Sequence, residues 1–193
     1  MRGRTASLIT ALAIVGVIST STSAVARPIE KGHFDDVFTS DVYDCDGTPA
    51  QDAVDVRVNF LVNQRGSSPF PYYRESVHGS VTTTNLLTGG TYTNVFASSS
   101  RDHSITDNGD GTITITVYAA GGSRFYDQFG NFVLKDPGSV RFAFDVDYNG
   151  TPGDPEDDTE VPGSFRIVRS STGNSDFSDR DFCADLVEFT SQL

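Results

Sequence analysis

The chain contains few of the residues from which reactive centres are built. Of its 193 residues, three are histidine, two are cysteine, one is methionine and none is tryptophan. It has no Gly-x-Ser-x-Gly nucleophile elbow and no His-Glu-x-x-His zinc motif. The lack of tryptophan also disfavours a carbohydrate-binding platform. No catalytic set can therefore be assembled from sequence spacing alone.

Positive charge is scarce as well. Lysine and arginine number 14 against 26 aspartates and glutamates, which gives a formal net charge of −12. A field of that sign repels phosphate backbones and anionic lipid surfaces. We therefore expect no nucleic-acid partner. The acidity is interpreted first as a source of solubility and second as a hint of cation binding.

The N-terminus has the three-part pattern of a secretory signal. Two arginines precede an apolar stretch at 6–18, and a small-x-small sequence ends at Ala26. That stretch is shorter than the roughly 20 residues that a membrane-spanning helix needs. Cleavage after Ala26 leaves residues 27–193, with a charge of −14 because residues 1–26 hold two arginines and no acid. We expect a single secreted domain with no membrane span after cleavage.

The two cysteines, Cys45 and Cys183, lie near opposite ends of the mature chain. In an oxidising compartment a lone pair of this kind is typical of a disulfide. A metal site has little support, since no histidine is close to either cysteine in sequence. The sequence therefore predicts a structural bridge between the first strands and the C-terminal segment.

Alternation of apolar and polar residues dominates the middle of the chain. It is clearest at 54–62, 113–119 and 140–148, where valine, isoleucine and phenylalanine occupy every second position. This period of two is typical of half-buried antiparallel strands. Turn residues separate the strands at short intervals, among them Gly121-Gly122 and Asp136-Pro137-Gly138.

This pattern predicts an all-β fold. Short turns favour an antiparallel up-and-down β-barrel, with a two-sheet β-sandwich as the alternative. After residue 175 the sequence allows a short helix or a strand, tied to the rest by the disulfide. If it is a helix, Ser178 is the expected N-cap.

One acidic loop fits a calcium template. Residues 145–156 read D-x-D-x-N-G-x5-E, and the template assigns Asp145, Asp147, Asn149 and Glu156 as oxygen ligands. A strand instead of a helix precedes the loop, so a Ca²⁺ ion here would occupy a non-EF β-loop site. The alternative is an acidic hairpin exposed to water, and no other cofactor is expected.

Four aromatic and imidazole side chains are candidates for a ligand rim: His78, Tyr73, Phe125 and Tyr126. His78 falls on the polar side of its predicted strand, and in a barrel it would face the interior. A hydrolase or isomerase would need a carboxylate within reach of this histidine. The alternative interpretations are an exposed histidine and aromatic rings in the core.

Four segments together resemble a group of uncharacterised secreted proteins from actinobacteria. They are TDNGDGTI at 106–113, DPGSVRF at 136–142, GTPGDPEDD at 150–158 and the ending DFC at 181–183. The resemblance extends over most of the mature chain. It implies secretion and a bacterial source, and it brings no activity, ligand or catalytic residue with it.

We therefore expect a secreted, non-catalytic β-domain that binds a small ligand or an extracellular partner, or that has a structural role in the envelope. Two other functions stay open. One is an adhesion module stabilised by calcium, and the other is a barrel enzyme that uses carboxylates and His78.

Overall fold

The computed structural model describes residues 28–177 and 179–191, which form nine strands and one short helix. The strands are β1 (Pro28–Thr39), β2 (Tyr43–Cys45), β3 (Thr48–Gln64), β4 (Pro71–Asn85), β5 (Thr91–Asp107), β6 (Thr112–Tyr126), β7 (Phe132–Asp147), β8 (Thr159–Glu160) and β9 (Arg166–Thr172). The helix α1 is Phe182–Thr190. The predicted signal at 1–26 lies outside the described residues.

The strands form a single antiparallel sheet in the order β1-β3-β4-β5-β6-β7-β8. β2 continues the line of β1 along the same side of β3, while β8 and β9 share the outer side of β7. The prediction of an all-β, antiparallel, sequentially paired fold is confirmed.

The sheet is not closed, so the predicted barrel closure is absent among the described residues, as is a second sheet that would make a sandwich. The pairing along β7 gives a physical reason. The outer side of β7 is taken by two short strands, and the register of β9 shifts on either side of Arg141. No continuous edge remains there for β1 to join.

Two predicted turns lie inside strands. Gly121-Gly122 is the middle of β6, and Asp136-Pro137-Gly138 is part of β7. A Cβ atom at Gly121 would lie 2.7 Å from the carbonyl oxygen of Ala97, so glycine is needed there for close approach of the neighbouring strand. Pro137 has no β9 partner, since that pairing reaches only to Ser139, and proline is tolerated at such a local edge.

Cross-strand register divides the side chains between two faces, because directly paired residues point to the same side. The face that carries Val58, Val77 and Val117 is called the apolar face. The opposite one, called the polar face, carries Arg57, His78, Arg101 and Arg124.

The apolar face is packed at both ends of the strands. At one end α1 covers a helix-end cluster whose buried members are Cys45, Ala50, Tyr92, Phe125, Leu134, Leu186 and Phe189. At the other end the loop before β4 places Phe70 against Ile113 and Val146 to form a loop-end cluster. Full burial of a side chain such as Leu186 contributes about 1.5–3 kcal/mol.

The C-terminal helix is fixed by a cap, a hydrogen bond and a covalent link. The carboxylate of Asp181 accepts from the backbone N–H of Ala184 at 2.9 Å, so Asp181 is the N-cap, and the predicted cap Ser178 lies outside the described residues. The amide of Asn85 donates to the hydroxyl of Thr190 at 2.9 Å. The predicted Cys45–Cys183 disulfide is present, and it joins β2 to the first turn of α1.

Candidate functional site

The four predicted rim residues are not brought together. Tyr73 and Phe125 belong to the apolar face, whereas His78 and Tyr126 belong to the polar face. Phe125 is only 7% exposed and packs against Tyr92 with ring centroids 5.5 Å apart. Its ring is part of the helix-end cluster, so it cannot form the rim of an open pocket.

Tyr73 is engaged locally. Its hydroxyl donates to Glu75 at 3.0 Å, and its backbone N–H donates to the buried carboxylate of Asp102 at 2.7 Å. Burial and the hydrogen bond to Glu75 raise the pKa of the Tyr73 phenol to about 12. Burial also raises the pKa of Asp102 above its usual value. These contacts stabilise the turn of the chain into β4.

His78 is exposed on the polar face, directly opposite Arg57. It borders a depression of about 560 Å³ whose described lining includes Arg124 and Lys135 and contains no aspartate or glutamate. A general base needs its partner within hydrogen-bond reach. The described lining of this depression therefore supplies no carboxylate for an acid–base couple with His78.

The predicted calcium ligands have partners of their own. Arg166 lies 3.1 Å from the carboxylate of Asp145, which also accepts from the hydroxyl of Thr114 at 2.7 Å. Hydrogen bonds from Thr114 and Arg166 hold the pKa of Asp145 below its usual value. The carboxylate of Asp147 accepts from the backbone N–H of Asn149 at 2.9 Å, and the side-chain amide of Asn149 donates to the carbonyl of Asp157.

Glu156 is exposed, and its backbone N–H donates to Asp154. Farther along the loop, burial and the negative charge of Asp157 raise the pKa of Asp158. Among the described residues, the ligand atoms of one acidic set, Asp46, Asp181 and Cys183, all lie within 4.8 Å of one another. Since Cys183 is in the disulfide, that set offers no thiolate, and the three acidic residues of the template do not converge in this way.

A different group of residues comes together on the polar face. One line of cross-strand partners crosses the sheet through Lys31, Leu61, Arg74, Arg101, Tyr118, Arg141 and Arg169. We call this line the arginine row. Five of its seven positions carry a cation and none carries an acid.

The centre of the arginine row is ordered around one ring. The guanidinium carbons of Arg101 and Arg141 lie 5.4 and 5.8 Å from the centroid of Tyr118. Both distances are within the range of a cation–π contact. The Nε atom of Arg141 is buried without a hydrogen-bond partner in the described part of the chain. The aromatic ring therefore holds two guanidinium groups that make no side-chain hydrogen bond within the described part of the chain.

The cations of the row are not neutralised. Arg74, Arg101 and Arg169 are exposed, and no ion pair within residues 28–177 and 179–191 involves any cation of the row. By contrast, Arg57 on the same face lies 3.8 Å from Asp35. In a chain with nearly twice as many acids as bases, unpaired arginines concentrated on one line are a departure from the average composition.

The three central strands around the row, all of them among the described residues, contain no compensating acid on the polar face. On the described strands β4, β5 and β6, every residue of the polar face is uncharged, a histidine or an arginine. Many of these residues carry a side-chain hydroxyl group. They include Ser76, Ser80, Thr82, Thr93, Ser99, Thr114 and Thr116. The polar face thus combines fixed positive charge with many side-chain hydroxyl groups.

Sequence reasoning missed this row. Arg141 lies at a polar position of the alternating segment 140–148, and that signal was available from the sequence. Arg101 lies outside the clearly alternating segments, although the structure includes it in β5, which extends to Asp107. The alignment of the arginines depends on strand register, which single-sequence periodicity does not contain.

No protein-family model, curated protein or solved structure matches this chain. In the part of the chain that the structure describes, no helix has the length and apolar character needed to cross a membrane. The disulfide is compatible with an oxidising, extracellular compartment.

Proposed function

We propose that the protein is a secreted, non-catalytic binding domain that uses the polar face of its sheet to hold a ligand outside the cell. The observation that carries this proposal is the arginine row: five cations in register that make no ion pair with any described residue, on a face whose described central strands carry no acid. Charged groups without partners on a rigid sheet are available to a ligand from the moment of folding.

The shape of the site favours binding over chemistry. The depression beside His78 is open, and its described lining lacks a carboxylate that could complete an acid–base pair. The sheet positions side chains on several strands at fixed spacing, which suits recognition of an extended ligand. Secretion, the actinobacterial resemblance and the disulfide are consistent with a ligand of the cell envelope or its surroundings.

The experiment is a binding screen with the processed protein, its disulfide intact, on an array of extracellular glycans and isolated envelope fractions. We expect retention on a subset of the array, with the ligand recovered chemically unchanged as judged by mass spectrometry. Turnover of the bound ligand would show an enzyme instead. An array without any retained ligand would contradict a binding role.

A further inference from the structure

We infer that the arginine row binds a linear anionic polysaccharide that carries about one carboxylate per sugar. This inference rests on the proposed function, because it names the ligand class for the same face. Three features of the row support it: its spacing, the cost of keeping it unpaired, and the chemistry of the surrounding side chains.

The spacing of the row suits an extended chain. Neighbouring strands lie about 4.8 Å apart, so the seven positions from Lys31 to Arg169 extend over roughly 29 Å along the sheet. Arg74 and Arg101 are adjacent, and Tyr118 separates Arg101 from Arg141. A polymer that crosses the strands would meet a cation at most positions, whereas a small anion could use only one or two of them.

Keeping these cations together opposes folding. Like charges placed directly across an antiparallel pair are destabilising, and the row contains two such pairs, Arg74 with Arg101 and Arg141 with Arg169. Local departures of this kind are expected at functional sites. An anionic ligand would remove the repulsion by lying between the guanidinium groups, each of which can hold a carboxylate with two parallel hydrogen bonds.

The residues around the row fit a sugar chain. Ser76 and Ser99 form the next line of partners on one side, with Ala120 beside them. Serine hydroxyls can donate to and accept from sugar hydroxyls, and alanine leaves the surface flat enough for a chain to lie close. Tryptophan stacking is not required, because the charged groups of the ligand would be held by arginine.

The charge of the rest of the protein argues against a nucleic acid. Acids border the basic area, with Asp35 and Asp55 beyond it on one side and Asp145 and Asp147 beyond it on the other. A duplex or a single strand carries a dense line of phosphates, and it would meet this acidic border. An anionic lipid surface would need a broader basic area. A polysaccharide with lower charge density can follow the row alone.

The test uses polygalacturonate as the probe and dextran as its neutral counterpart, measured by calorimetry at low salt with the processed, disulfide-bonded protein. We expect binding to polygalacturonate that weakens as salt is added, and no binding to dextran. R74Q/R101Q should weaken binding by about tenfold or more, since two charge-assisted contacts are lost. R57Q is the matched control, because Arg57 lies on the same face but is already paired with Asp35.

R169Q is a second variant, at an exposed edge position where folding should tolerate the change, and it should also weaken binding. The inference would be overturned if the wild-type protein did not bind polygalacturonate. It would also be overturned if R57Q and R74Q/R101Q weakened binding equally. Equally tight binding of single-stranded DNA or anionic vesicles through the same arginines would overturn the ligand class. If another ligand of the array binds equally well to R74Q/R101Q, this inference fails while the proposed binding function stands.

Discussion

Replacing Arg74 by glutamine should make the protein more stable at low salt, although it removes a cation from an acidic chain. Arg74 lies directly across from Arg101 and has no ion pair among the described residues. The change therefore relieves repulsion within the row. This prediction concerns folding alone, so it tests the charge arrangement without any ligand.

The expected gain is small but measurable. If the separation of the two exposed guanidinium groups is set at roughly 8 Å in water, Coulomb's law gives about 0.5 kcal/mol of repulsion. Cross-strand pairs contribute about 0.2–1 kcal/mol, which agrees with that figure. At 1 M salt the screening length falls to about 3 Å, so the gain should vanish.

The control is R57Q, which makes the same chemical change at a strand position of the same face. Arg57 lies 3.8 Å from Asp35 and 4.0 Å from Asp55, so its loss should lower the free energy of unfolding by a few tenths of a kcal/mol. Strand propensity and long-range attraction to the acidic chain affect both variants equally. The local effects should therefore differ in sign, because R74Q relieves a repulsion whereas R57Q removes an attraction.

Urea denaturation measures the difference. With a slope of about 1–3 kcal/mol per molar urea, a difference of about 0.8 kcal/mol should separate the two midpoints by about 0.3–0.8 M at low salt, and they should converge at high salt. If R74Q is destabilised as much as R57Q, the repulsion within the row is absent. A gain in R74Q that persists unchanged in 1 M salt would show that its origin is not electrostatic.

Three further predictions concern the core, the bridge and the acidic loop. Tyr92→Phe should raise the free energy of unfolding by about 1 kcal/mol, since the Tyr92 hydroxyl is buried without a hydrogen-bond partner among the described residues. A lower free energy of unfolding, measured by chemical denaturation, would contradict this. Replacing Cys45 and Cys183 by serine should cost up to about 5 kcal/mol, the loop-entropy value for a separation of 138 residues, and unchanged urea midpoints would refute it. The melting temperature should be the same in millimolar Ca²⁺ as in the presence of a chelator, because Arg166 already neutralises Asp145. A clearly higher melting temperature in Ca²⁺ would favour the calcium site instead.

The general character of the fold could be predicted from the sequence because it depends on local patterns. Alternating valines and phenylalanines define β3 and much of β7, and the short connections define the pairing order. The disulfide followed from compartment and cysteine number. Each of these signals can be recognised without knowing which residues meet across the sheet.

The middle of the sheet could not be predicted in the same way. Gly121-Gly122 and Asp136-Pro137-Gly138 have the composition of turns, but here glycine allows close strand approach and proline occupies a local edge. A prediction that places turns at those points divides β6 and β7, and the pairing of their residues across the sheet is then lost. Without that register, the alignment of Arg74, Arg101 and Arg141 could not be inferred.

The candidate site could not be predicted from the sequence either, because it depends on how the fold distributes charged and aromatic side chains. Net charge describes the whole chain and led to the expectation that phosphate backbones and anionic lipid surfaces would be repelled. The fold separates the charges, so that the central strands of the polar face carry arginine and no acid. Whether Phe125 faces solvent also depended on tertiary contact, since α1 and Tyr92 bury it.

The proposed binding of a ligand across the polar face can be observed residue by residue. Backbone amide chemical shifts are recorded while a short oligogalacturonate is added to the isotope-labelled protein. We expect shift changes that concentrate at Arg74, Arg101, Tyr118 and Arg141 and leave the helix-end cluster unaffected. Changes confined to α1 or to the acidic loop at 145–156, or no changes at all, would contradict it.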